Sequence, residues 1–183
     1  IIITFAIPLF FGLILIEFFY GVITKQNNYR INDAITSMSL GLISRFVPIL
    51  GLGFQYVVYK AVAEHYNLKL LSGEEIWVWV TAFILYDICY YWMHRIHHEI
   101  KVFWATHVVH HHGEEFNLAT ALRQTSTGFL WKWVFFLPLF IIGIPPQMYV
   151  TVAGLNLVYQ FWVHTEHIGR LGFLEYIFVT PSN

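Results

Sequence analysis

The sequence predicts an all-α membrane protein with four to five transmembrane helices. Three observations carry that expectation. Of 183 residues, 57% are hydrophobic and 11% are charged, against roughly 25% charged in a typical soluble domain. The mean hydropathy is +0.59. The apolar residues gather into five long segments separated by polar stretches. A formal net charge of −1 gives none of the basic excess that a nucleic-acid partner calls for. Cys89 is the one cysteine of the sequence, so no internal disulfide can form.

A bilayer core of roughly 30 Å takes about 20 apolar residues per helix. The first segment, Ile2 to Ile23, contains Pro8, Gly12 and Glu17. Its opening, Ile1 to Phe19, is too long for a signal-peptide core and lacks a small-residue cleavage site, so it reads as a retained span. Glu17 has two readings. An ionisable residue within a span signals function by default, and a place close to Ile23 also suits the membrane interface. The second segment, Ala34 to Tyr59, is interrupted by Arg45, Pro48, Gly51 and Gly53 and is expected to be kinked or split. The third, Ile76 to Trp92, leads directly into histidines. The fourth runs from Phe129 to Ile144, where Ile144-Pro145-Pro146 breaks it, because proline disfavours a helical residue before it. The fifth, Met148 to Val163, is expected to pair with the fourth as a hairpin. Trp79, Trp92, Trp131 and Trp133 read as core or interface anchors.

Lysine and arginine concentrate in cytosolic loops. If all five segments cross, Lys25, Arg30, Arg95, Lys101, Arg123 and Arg170 share one side, and Lys60 and Lys69 the other. The bias places the third loop, Met93 to Gly128, in the cytosol. Loops of that length are usually functional or carry helices of their own.

Seven of the ten histidines fall between His94 and His112. On a helix, residues three and four apart share a face. His94 and His98 therefore point one way, and His107, His110 and His111 form a second such group. Imidazole suits zinc, copper, iron and nickel. Five ligands exceed the needs of one tetrahedral zinc, which points to more than one metal or to higher coordination. Burying so many imidazoles without metal or partners is costly. A metal-bound histidine usually donates its other N–H to an acceptor; Asp87, Glu99, Glu114 and Glu115 are candidates, with Asn117 beside them. His164 is a further ligand candidate and His167 a weaker one. His65, His97 and His112 read as hydrogen-bonded packing residues.

At these residues the sequence resembles the fatty acid hydroxylase and sterol desaturase superfamily. The resemblance is carried by Asp87-Ile-Cys-Tyr-Tyr-Trp-Met-His94-Arg95-Ile-His-His98-Glu99, then His107-Val-Val-His110-His111, then Glu115-Phe-Asn117-Leu-Ala-Thr120-Ala-Leu-Arg123-Gln124. Tyr159-Gln-Phe-Trp-Val-His164-Thr-Glu166 and Thr180-Pro181-Ser182 also match. The Asn117–Gln124 and Gln160–Glu166 strings are most similar to the alkylglycerol monooxygenases and their bacterial relatives. The resemblance implies a cytosol-facing helical cap in a bacterial inner membrane or endoplasmic reticulum. It implies two iron ions held by His94, His98, His107, His110, His111 and His164. Zinc is expected to replace iron in some purified samples. The oxidant implied is O₂, with an external reductant that is a reduced pterin in the narrower group, and the substrate is a membrane lipid. Hydroxylation beside the ether oxygen of a glycerol ether lipid would give a hemiacetal that collapses to an aldehyde. The superfamily places a final H-x-x-H-H cluster just after the Thr-Pro-Ser string; the chain stops there and is expected to be a fragment of a single membrane domain. Two other functions remain open at this point: a sterol, fatty acyl or carotenoid hydroxylase or desaturase on the same scaffold, and a histidine-rich metal transporter.

Overall fold

The computed structural model describes residues 2–50, 53–71, 73 and 75–182, and contains helices and no strand among them. Ile1 and Gly51, which figure in the expectations above, lie outside the described residues. Among the described residues, seven α-helices follow in order: α1 Ile2–Thr24, α2 Ile31–Leu50, α3 Phe54–His65, α4 Ile76–Glu99, α5 Lys101–His111, α6 Leu137–Ile142 and α7 Pro146–Trp162. Among the described residues, two helices are long and apolar enough to cross a membrane, Thr4–Thr24 of α1 and Ile76–Glu99 of α4. At 1.5 Å per residue, the 24 residues of α4 reach about 36 Å, and the 17 of α7 about 25 Å.

Two of the expected segments take a different form. The second divides into α2 and α3, and Gly53 precedes α3 in a left-handed conformation, φ 69°. The fourth is not a continuous α-helix. It consists of short 3₁₀ turns at Gly128–Leu130 and Lys132–Phe136, followed by the six-residue α6. Pro138 accounts for this. It stands in the first turn of α6, where its missing N–H costs nothing. Extending the α-helix backwards would place it in the interior, where it lacks a hydrogen bond and clashes with the preceding turn. Gly143 ends α6 at φ 121°, a conformation for which glycine has no steric cost.

The chain divides into two compact units. One comprises Ile1–Ile43, Val109–Thr125 and Leu157–Asn183; the other comprises Ser44–Val108 and Ser126–Asn156. In the second unit, α4 buries Val78, Ala82, Tyr86 and Met93 along one face, at the three-and-four spacing of a helix. They pack with Tyr59, Phe136, Leu139, Phe140, Ile144, Met148 and Val152. Aromatic rings dominate here: Tyr59 stacks on Phe140 with centroids 4.2 Å apart, and Tyr86 on Phe136 at 4.9 Å. In the first unit, α1 turns Ala6, Phe10 and Ile14 inward against Leu118, Ala119 and Phe161. Phe10 and Phe161 stack at 4.0 Å. The inward row of α1 continues through Glu17 and Gly21, both buried. Gly41 of α2 lies against the main chain of Leu122; a Cβ there would stand 2.4 Å from the Leu122 carbonyl oxygen.

Candidate metal centre

The buried row of α4 ends in His97. His94 and His98 stand on the neighbouring row, one turn apart, with their Nε2 atoms 3.0 Å from each other. The helix stops at Glu99, and Ile100 adopts an extended conformation, φ −104° and ψ 121°. The chain turns there into α5, which brings His107 back to the pair. Its ring centroid lies 4.7 Å from that of His94 and 4.9 Å from that of His98. One ring nitrogen from each of the three lies within 4.8 Å of the others. The Trp104 ring lies 5.4 Å from His98. His97 is fully buried against Phe103, and its Nδ1 faces the Met93 carbonyl at 2.7 Å.

Helix α5 runs on without a break, so His111 follows His107 by one turn. His110 belongs with His164. His110 Nδ1 faces the Arg123 carbonyl at 2.8 Å, and His164 Nδ1 faces the Gln160 carbonyl at 2.8 Å. A carbonyl can only accept, so both Nδ1 atoms carry hydrogen and a neutral ring presents a lone pair at Nε2. Those two Nε2 atoms face each other at 3.3 Å. Facing lone pairs repel unless a proton or a cation lies between them. Burial, reinforced by His111 and opposed by the Gln160 hydrogen bond, holds the His164 imidazole below the usual histidine range, which disfavours the proton. The spacing suits a metal. Two imidazole nitrogens about 2.1 Å from one ion, separated by between a right angle and the tetrahedral angle, lie about 3.0–3.4 Å apart. The donor set therefore fits a divalent transition metal, and the Phe116 ring, 5.5 Å from that of His164, covers one flank.

Arg123 holds the His110 side of this arrangement. Its own carbonyl receives His110. Its guanidinium donates to the Val109 carbonyl at 2.9 Å, to Asp33 at 2.9 Å and to the Ser37 hydroxyl at 3.2 Å. The Arg123 and Asp33 side chains are 7% and 11% exposed. Replacing Arg123 with methionine leaves the Asp33 carboxylate buried and unpaired, and breaking such a pair costs about 3–5 kcal/mol. The expected outcome is a lowered thermal midpoint in detergent, partly restored by adding Asp33→Asn. An unchanged midpoint for the single variant would remove this account of Arg123.

The other residues singled out in the sequence find partners as follows. Asp87 accepts a hydrogen bond from Asn156 at 3.2 Å. Glu99 pairs with Arg95 at 2.8 Å, and Glu115 with Arg30 at 2.7 Å; Glu114 also pairs with Arg30. Asn117 is buried, accepts from the Ala119 and Thr120 amides, and donates to the Asn28 carbonyl at 2.8 Å. It shapes the turn that leads to Arg123. For His110 and His164 the orienting acceptors are thus main-chain carbonyls, where the sequence suggested side-chain carboxylates. His112 is exposed beyond the end of α5, and exposed His65 faces the Ala61 carbonyl at 3.0 Å. His167 packs edge-on against Tyr20, and its amide donates to the Thr165 hydroxyl at 3.2 Å. The sequence marked Arg123 only as a loop charge and as part of a motif string, quoted Thr165 only within a string, and gave no signal for Tyr29 or Asp33. A lone arginine within the apolar-flanked Ala-Leu-Arg-Gln string was the available signal.

The sequence model of the fatty acid hydroxylase family, described as "Fatty acid hydroxylase", matches residues 79–183. The chain is 41% identical over 179 residues to the alkylglycerol monooxygenases of Homo sapiens and of Danio rerio, covering 97% of this chain and 40% of each relative. It is 38% identical over 174 residues to that of Xenopus tropicalis, covering 95% of this chain and 39% of the relative. The chain therefore spans about two fifths of the length of these curated relatives. No solved structure matches it.

Proposed function

Because this chain belongs to the fatty acid hydroxylase family, we propose that it forms the metal-holding part of a membrane-bound di-iron oxygenase that hydroxylates a lipid C–H bond. The observation that carries this reading is the pair of facing Nε2 atoms of His110 and His164, both rings fixed by main-chain acceptors. His94, His98, His107, His110, His111 and His164 are the ligands in this reading. When bound, two irons supply the oxidation of an unactivated C–H bond, with O₂ as oxidant and an external reductant, here a reduced pterin, as electron source. The chain's own residues do the rest. The Arg123 and Gln160 carbonyls fix the rings of His110 and His164, so that Nε2 is the coordinating atom of each. Trp104 packs beside His98 and Phe116 beside His164. Helix α4 carries His94 and His98 at the end of an apolar span, within reach of a lipid lying in the bilayer. The full arrangement in this reading has four to five spans with the histidines on the cytosolic side, in a bacterial inner membrane or the endoplasmic reticulum. Similarity to alkylglycerol monooxygenases over nearly all of this chain supports a glycerol ether lipid as substrate, attacked at the carbon beside the ether oxygen.

The test uses the full-length protein in lipid nanodiscs, with Fe²⁺, O₂ and reduced pterin. A glycerol ether lipid, a sterol and a fatty acid are supplied separately. Aldehyde released from the ether lipid alone is the expected result. Hydroxylated sterol or fatty acid instead would keep the oxygenase and reject the ether substrate. No oxygen uptake with any lipid, from protein that holds its iron, would reject the oxygenase.

A further inference from the structure

Glu17 is a carboxylate in an apolar helix, and it is 5% exposed. A carboxylate in such a place is tolerated when its oxygens are fully hydrogen-bonded. Here three donors reach it from three separate segments. The Tyr29 hydroxyl and the Leu118 amide, the latter at 2.8 Å, both donate to Oε2, and the Thr165 hydroxyl donates to Oε1. Burial, together with Glu17 itself, pushes the Tyr29 hydroxyl well above its usual range, so it remains a donor.

Two of these segments lead directly to metal-ligand candidates. Thr165 is the residue after His164, and its hydroxyl is also fixed by the His167 amide. Leu118 opens the turn that ends at Arg123, whose carbonyl receives His110. The intervening turn is tight. Asn117 accepts from the Ala119 and Thr120 amides, and the Thr120 hydroxyl donates to the Glu115 carbonyl at 2.8 Å. One side chain thus holds the residue after His164 and the start of the turn whose last residue accepts from His110.

We propose that Glu17 is a positioning residue for the His110–His164 ligand pair, clamping Thr165 and the Leu118–Arg123 turn to helix α1. The proposal rests on the di-metal reading given above. Outer hydrogen bonds of this kind orient the ligands, and losing them typically costs 10–100-fold in metal affinity. What the clamp needs is acceptors in the right places. A glutamine can supply them in one orientation, with its oxygen towards Tyr29 and Leu118 and its amide donating to the Thr165 oxygen. Alanine supplies none. Thr165→Val removes the hydroxyl beside His164, with its bond to Glu17 and the one it accepts from the His167 amide, and leaves the bonds of Tyr29 and Leu118 to Glu17 in place.

The experiment is a Co²⁺ titration of the metal-free full-length protein, followed by its visible ligand-field absorption, with helix content checked by circular dichroism. Wild-type protein is expected to take up two ions. In Glu17→Ala one of the two steps weakens at least about tenfold and its absorption band changes, while the other step keeps its midpoint. Thr165→Val weakens the same step, and it carries the test should Glu17→Ala fail to fold. Glu17→Gln restores it. Two wild-type steps with wild-type spectra in both Glu17→Ala and Thr165→Val would overturn the clamp and leave the di-metal reading intact. A loss in Glu17→Gln as large as in Glu17→Ala would also overturn it, because the carboxylate charge would then be what matters. Wild-type protein that takes up no Co²⁺ would bring down the di-metal reading and the clamp with it.

Discussion

His110→Ala in the full-length protein is expected to abolish product formation while leaving membrane insertion and helix content unchanged. The two halves of this expectation have separate causes. Insertion depends on apolar spans such as those of α1 and α4, and His110 belongs to neither. The chemistry depends on His110 because its Nε2 is one of the two facing atoms and its Nδ1 is already committed to the Arg123 carbonyl. Alanine removes a ligand nitrogen and leaves His164 with no facing imidazole. Iron content and product should be measured on the same preparation, with less than about one iron per chain retained and turnover lost at least about 10³-fold, or ~4 kcal/mol of barrier. Near-normal turnover in this variant would remove the central claim about the site.

The second large effect concerns which metal is present. Zinc binds histidine sites more tightly than Fe²⁺ does, and imidazole alone selects weakly between them. Protein purified in air with adventitious zinc is therefore expected to be folded, metal-filled and inactive, because zinc has no redox chemistry. Stripping the metal and restoring Fe²⁺ without oxygen, then adding O₂, reductant and lipid, should recover turnover from background. Both forms should show the same thermal stability to within a few degrees, since the same nitrogens are satisfied in each. Robust O₂-dependent product formation by verified zinc-loaded, iron-free enzyme would overturn the iron assignment.

What the sequence made legible was periodic. His94 and His98 could be placed on one face from their spacing, because an unbroken apolar run feeds them a helix, and α4 does extend from Ile76 to Glu99. His107, His110 and His111 could be placed on one helix for the same reason. The packing role of His97 also follows from period: it falls in register with Val78, Ala82, Tyr86 and Met93. Hydropathy was a poorer guide to the segment from Phe129 to Ile144. Its composition is apolar throughout, yet Pro138 limits α-helix to the residues after Phe136. The ion pair of Arg123 with Asp33 and the hub at Glu17 join residues far apart in the chain. No local pattern encodes such a meeting, so a single sequence could mark Glu17 as out of place without naming its partners.

The acceptors that orient His110 and His164 are peptide carbonyls, and this shapes how the site responds to mutation. Every residue type carries a carbonyl, so substituting Gln160 changes a side chain and leaves the oxygen that holds His164 where it was. A residue-by-residue mutational scan is blind to such an atom. The genetic target of this site is consequently smaller than its chemical footprint. Part of the machinery is inherited through the path of the backbone rather than through the identity of any one codon.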